Sequence, residues 1–224
     1  MNIEHIVFTK RAFNAIVTET LDKDPLETGG IFIGYILNNG IWVVVEAIPP
    51  GIKSIYQRSY FEYDTKFVNY LSNVIANQYK GNLHVLGLWH RHPGSMDVFS
   101  TTDNGTNIKF AKANQHGAIS GLINCDPKMR LTMYHVDHQC RYTKIEWSVD
   151  DGIIPENLLE LRFTDPDNFP TPGLISEAEM KTESTSDSIP DCVSSETSET
   201  PKCTATLEEQ IKKCFKIKSK EDQL

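Results

Sequence analysis

The stretch LHVLGLWHRHP, residues 83–93, constrains the fold most. Residues 83–90 read as a strand buried within a sheet. Pro93 has no N–H, so it ends the ladder just behind two histidines. Side chains two apart in an extended chain share a face, so His90 and His92 point the same way and Arg91 points the other. Residues 94–99, GSMDVF, bring the chain round to Ser100, which is placed to cap a helix over residues 100–114. Asp103 then falls in the first turn, where unpaired N–H groups favour negative charge.

The flanking elements predict a mixture of strands and helices. IEHIVF reads as a strand, and Thr9 caps a helix with Ala12, Phe13, Ile16, Val17 and Leu21 on its inner face, broken by residues 22–25. GGIFIGYIL and IWVVVEAI form a hairpin about Asn38-Asn39-Gly40, and SIYQRSYFEY follows as a further strand. Asp64 caps a helix over residues 65–80, with Phe67, Val68, Leu71, Val74 and Ile75 inward and Gly81 just past its end. AISGLINC, RLTMYHV and YTKIEWSV complete the strands. This order gives an α/β (α+β) fold with a central mixed β-sheet flanked by helices.

Composition changes near residue 170. Residues 176–206 hold seven Ser, six Thr and seven acids, with Ile189 and Val193 the only branched aliphatics. Such a segment cannot bury enough to offset its ordering entropy, so residues 171–206 read as a flexible linker within a disordered C-terminal extension. Residues 207–224 form a short amphipathic tail with Leu207, Ile211, Cys214 and Phe215 on one helical face. It is either a frayed end or a helix that docks a partner. The net charge of −8 makes nucleic acid a poor default partner. The five cysteines form no CxxC pair and suit reduced thiols in a cytoplasmic protein. No window approaches the ~20 apolar residues of a membrane span, and the opening residues lack a secretory pattern.

Two imidazoles and one carboxylate make a three-donor set for zinc (Zn2+) that leaves a fourth position for water, the pattern of catalytic rather than structural zinc. Zinc lowers the pKa of such a water from ~16 to about 7. The chemistry also needs a base that takes the second proton and delivers it to a leaving amine. HxH alone is a weak signal, and Ser-Thr-Thr-Asp alone is a helix capping box. HxHP, six residues, then SxxD is far more restrictive. His5, His84, His116, His135 and His138 read as surface or core histidines.

That combination resembles the JAMM motif of MPN-domain metalloproteases, in the prokaryotic-type, deubiquitinase-like branch. Glu27-Thr28-Gly29-Gly30-Ile31-Phe32-Ile33-Gly34 resembles the family's upstream glutamate before a glycine-containing strand. The motifs place the JAMM/MPN domain at residues 1–160. The resemblance implies an MPN/JAMM (cytidine-deaminase-like) architecture. It makes His90, His92 and Asp103 the zinc ligands, Glu27 the base and Ser100 the donor to the oxyanion. It also implies a zinc-dependent metallopeptidase or isopeptidase acting at the C-terminus of a ubiquitin-like protein, in deconjugation or precursor processing. Conjugating or activating enzymes of the same pathway would be further partners. Arg91 departs from the small residue usual between the histidines, and is expected to face away from the ion and be free to contact substrate. Gly29 and Gly30 match no phosphate-binding loop and read as positions of close backbone packing. A zinc deaminase would need HxE and a later PCxxC, which this chain lacks. The alternative is a non-catalytic MPN-type scaffold or protein-binding module.

Overall fold

A computed structural model describes residues 3–164 and 207–215. The expected linker at 171–206, and the tail beyond Phe215, lie outside the described residues. Seven strands form one sheet: β1 (His5–Phe8), β2 (Thr28–Ile36), β3 (Ile41–Ile48), β6 (His84–Arg91), β7 (Ala118–Asn124), β8 (Arg130–Val136) and β9 (Tyr142–Val149). Their spatial order is β1-β3-β2-β6-β7-β8-β9. The expected central mixed sheet with flanking helices is present, and the sheet closes into a barrel, a feature the sequence reading did not include. The short β1 pairs in parallel with β3 on one side and with β9 on the other, His5 opposite Glu146 and Phe8 opposite Val149. Twist accumulated over successive strands brings the two ends together, and β1 covers half of the outer edges of β3 and β9.

The Asn-Asn-Gly hairpin forms as expected, with Gly40 at φ 81° between β2 and β3. SIYQRSYFEY does not make one strand. It folds into two two-residue strands, β4 (Ile55–Tyr56) and β5 (Phe61–Glu62), paired with each other and outside the barrel. The parallel neighbours β6 and β7 are joined by a crossover through α3 (Thr101–Ala113).

Helix α1 (Lys10–Asp22) starts where the Thr9 hydroxyl accepts the Ala12 N–H. Its buried positions Ala12, Ile16 and Thr20 repeat every four residues, which leaves Leu21, 100° further round, 58% exposed. Helix α2 (Thr65–Ala76) is capped by Asp64, as read from sequence, but stops at Ala76 instead of residue 80. Val68 and Ser72 are its buried positions, and Val74 is exposed. The chain leaves the helix there because Tyr79 turns inward. Its phenol donates at 2.5 Å to Glu46, a buried carboxylate on β3 that also accepts from Arg11 Nε. Gly81 serves close approach and not a left-handed cap, since a Cβ there would lie 2.4 Å from Tyr35 Oη.

Both faces of the sheet are buried along β2, β3, β6 and β7, whereas β9 leaves Thr143, Lys144 and Glu146 exposed. Val7, Ile33, Val43, Val45, Val85 and Phe110 belong to one apolar cluster, and Ile6, Phe8, Phe32, Trp42, Leu86 and Trp89 to a second. After the short α4 (Glu156–Leu159), the last described element is α5 (Leu207–Cys214). It packs against α2, α3 and β6. Ile211 and Cys214 are buried, Gln210 Oε1 accepts the Val85 N–H at 3.0 Å, and the Phe215 ring meets Tyr63 and Phe110. The amphipathic tail therefore docks on its own chain. Among the described residues, Cys125, Cys140 and Cys214 are free thiols, and no helix is long and apolar enough to cross a membrane.

Candidate metal centre

The end of β6 and the start of α3 meet as the spacing requires. The barrel holds β6 between β2 and β7, with Gly29 opposite His90 across one ladder and Leu122 opposite it across the other. Ser100 and Asp103 form the capping box: the Ser100 hydroxyl accepts the Asp103 N–H, and Asp103 Oδ2 accepts the Ser100 N–H at 2.7 Å. That cap orients the carboxylate toward both imidazoles. Asp103 Oδ1 lies 2.7 Å from His90 Nδ1, and Oδ2 lies 3.2 Å from His92 Nε2. Glu27, one residue before β2, reaches within 3.5 Å of His90 Nε2. Glu27, His90, His92, Ser100 and Asp103 all line one cavity of about 230 Å³.

Electrostatics tie these groups together. Burial alone would lower the pKa of His90, but hydrogen bonds to Asp103 and Glu27 outweigh it and raise the value to about 9. Burial alone would raise the pKa of Asp103. Its hydrogen bonds to His90 and His92 outweigh that and hold the carboxyl well below the usual range. Burial pushes the Tyr63 phenol far up, and the Asp103 charge adds to it, so this ring faces the site as a neutral group.

The site suits a divalent cation. One donor atom each from Glu27, His90 and His92 falls within 4.8 Å of the other two. His92 Nδ1 is buried with no hydrogen-bond partner among the described residues, and the buried His90 Nε2 faces the Glu27 carboxylate at 3.5 Å. Imidazole nitrogens combined with carboxylate oxygens are a donor set for zinc and its neighbours in the first transition row. Glu27 is thus in the same donor cluster as the two histidines, while Asp103 bridges the rings.

Two features escaped the sequence reading. The aromatic wall of the cavity comes from Phe61 and Tyr63, with Phe61 packed on the His90 ring at 5.6 Å and on Tyr63 at 4.6 Å. Only the aromatic density of residues 55–63 hinted at it. Asn107, one helical turn beyond Asp103, is buried and accepts from Ser120 Oγ while donating to Tyr142 Oη. Its i, i+4 spacing from Asp103 was the available signal. One expectation fails: Arg91 does face away from the ligands, but it is 1% exposed and cannot meet substrate.

A β-barrel that presents a histidine pair at a strand end, a capped carboxylate and an upstream glutamate defines a metal-site domain of the JAB type. Residues 9–133 match the family described as prokaryotic homologs of the JAB domain, and the chain belongs to that family. It is 32% identical over 90 residues to a protein of Enterobacter hormaechei subsp. hoffmannii (strain UCI 50) named "CD-NTase/cGAS isopeptidase". The match covers 40% of this chain and 48% of that protein, so the chain spans about half the length of that relative. A solution structure of protein DSY2949 from Desulfitobacterium hafniense is similar at 16% identity and a TM-score of 0.49, over 65% of this chain and 92% of that one.

Proposed function

We propose that this chain is a zinc-dependent peptidase or isopeptidase that cleaves at the C-terminus of a ubiquitin-like protein, in deconjugation or precursor processing, in the cytoplasm. The observation that carries the reading is the convergence of Glu27, His90, His92 and Asp103 on one cavity. Membership of the JAB family supports it, as does the isopeptidase named among its relatives.

His90, His92 and Asp103 would hold the ion. When bound, it would acidify a water and polarise the scissile carbonyl. Glu27 takes a proton from the attacking water and delivers it to the leaving amine, from a position already beside the ligands. The Ser100 hydroxyl accepts from the Asp103 amide, which leaves its own proton to donate to the developing oxyanion. Phe61 and Tyr63 wall the site and limit water at the reacting carbonyl.

The test uses the full chain with ubiquitin carrying a C-terminal coumarin amide, and metal content read by mass spectrometry. Glu27→Gln is expected to keep zinc and lose turnover, and Asp103→Ala to lose zinc affinity. Wild-type turnover by Glu27→Gln removes the base. A folded protein that takes up no divalent ion sinks the reading. Zinc bound without turnover of any ubiquitin-like substrate favours the scaffold alternative.

A further inference from the structure

The histidine-flanked Arg91 has a task that neither the ligand set nor the resemblance accounts for. It is among the largest fully buried side chains, at 1% exposure. Its guanidinium points to the opposite face of β6 from the imidazoles, toward the segment that precedes β2. There Nη1 donates to the Leu26 carbonyl and Nη2 to the Asp24 carboxylate.

The Leu26 carbonyl belongs to the peptide unit whose nitrogen is that of Glu27. That same N–H donates to the Gln57 carbonyl at 2.8 Å. One peptide plane is therefore held at both ends, by Arg91 on its oxygen and by Gln57, beside β4, on its hydrogen. Fixing that plane fixes the direction in which the Glu27 side chain leaves the backbone. Immediately after it, Thr28 enters the ladder opposite Arg91. Successive residues at the end of β6 and just past it thus hold both parts of the site: His90 and His92 offer ligands on one face, and Arg91 grips the glutamate's backbone on the other.

A planar fork is suited to this in a way that an ammonium is not. It reaches a carbonyl and a carboxylate at once, with little rotamer freedom left to lose. We propose that Arg91 is the positioning residue for Glu27, setting the base relative to the histidine pair without touching substrate or ion. The proposal rests on the peptidase reading for its assay, and the experiment separates the two.

Steady-state turnover of the ubiquitin coumarin amide, with substrate in excess, is measured for the wild type, Arg91→Met, Arg91→Lys, Glu27→Gln and the Arg91→Met/Glu27→Gln double variant. Cobalt(II) titration followed by absorbance gives metal affinity for each. Outer partners of metal sites are typically worth roughly 10- to 100-fold, and small misplacements of a reacting group cost as much. Arg91→Met should therefore lose about that factor in kcat, with KM and cobalt affinity within about threefold of wild type, and Arg91→Lys should recover part of the loss. The deciding result is coupling: in the Glu27→Gln background Arg91→Met should cost less than about threefold, because its effect passes through Glu27.

An equal cost in both backgrounds, or a parallel fall in cobalt affinity, overturns the proposal and leaves Arg91 a structural residue. Should Arg91→Met fail to fold, Asp24→Asn replaces it, since that carboxylate is 52% exposed and anchors the same fork. The same coupling to Glu27 supports the proposal, and its absence refutes it. If Glu27→Gln alone retains full turnover, it is the base assignment that fails. The Arg91 proposal then fails with it, whereas a Glu27→Gln variant that loses turnover, beside an Arg91→Met cost equal in both backgrounds, sinks the Arg91 proposal alone.

Discussion

Replacing Ile211 by alanine tests whether α5 is held by the barrel or merely lies near it. Ile211 is 1% exposed, and one turn later Cys214 is 2% exposed with its thiol pushed up to about 12 by burial. Thiolate is the species that alkylates, so Cys214 reacts only when α5 lifts off and the thiol regains an ordinary pKa. The substitution removes three carbons, about 2.4 kcal/mol at ~0.8 kcal/mol per buried methylene, near the low end of measured Ile→Ala losses. Falling on the docking equilibrium, that raises the lifted-off fraction roughly 50-fold, since about 1.4 kcal/mol is a factor of ten. Native protein is treated with iodoacetamide at pH 8, quenched at intervals and digested, and the Cys214, Cys125 and Cys140 peptides are quantified by mass spectrometry. In the wild type Cys214 should be the slowest of the three. In Ile211→Ala its rate should rise roughly 50-fold while Cys125 stays unchanged. Equal reactivity of Cys214 and Cys125 in the wild type would refute the docking, as would no acceleration in the variant. A parallel rise at Cys125 would mean global unfolding, and would refute local release.

Three further outcomes are expected. In metal-stripped protein His90 titrates near 9, above its ordinary 6.5. A raised pKa gives stability that is complete below 6.5 and lost as pH climbs through 9, so Tm should fall across that window. Zinc, which binds the neutral ring, should remove the slope; a flat profile without metal would contradict the His90–Asp103 pairing. Tyr79→Phe takes a donor from the buried Glu46 and should cost about 1–3 kcal/mol in urea unfolding, a loss that an unchanged midpoint would rule out. Gly30→Ala would place a Cβ 2.3 Å from the Ile48 carbonyl oxygen and 2.5 Å from Trp89 Nε1. Overpacking of that kind costs about 1–3 kcal/mol, and a midpoint at wild type would show that the strand can shift.

The histidine–aspartate part of the site was legible because its rules are local. Period two in β6, a proline stop and a capping box within four residues of Ser100 are decided by neighbours in sequence. The Glu46–Tyr79–Arg11 cluster was not legible, since the turn that ends α2 early is set by a carboxylate 33 residues away. Barrel closure escaped for the same reason: β1 pairs with a strand about 140 residues further on, and nothing in HIVF says that both its edges are used. The amphipathic face of α5 was legible as a face, but hydrophobic periodicity is identical whether the cover is a partner or the chain's own body.

The register between β2 and β6 joins what was legible to what was not. Thr28 stands opposite Arg91 and Gly29 opposite His90, so Glu27 emerges beside the ligands only in this alignment. A slip of one residue would carry Glu27 about 3.4 Å along the strand and turn every β2 side chain to the other face. Gly30 resists such a slip, because only a residue without Cβ fits between the Ile48 carbonyl and the Trp89 ring. Arg91 resists it from the other side by gripping the peptide before Glu27. The glycine pair that reads as permissive backbone is therefore part of how the glutamate is aimed. It follows that Gly30→Ala should depress turnover by more than its loss of stability explains, even at temperatures where the variant remains fully folded.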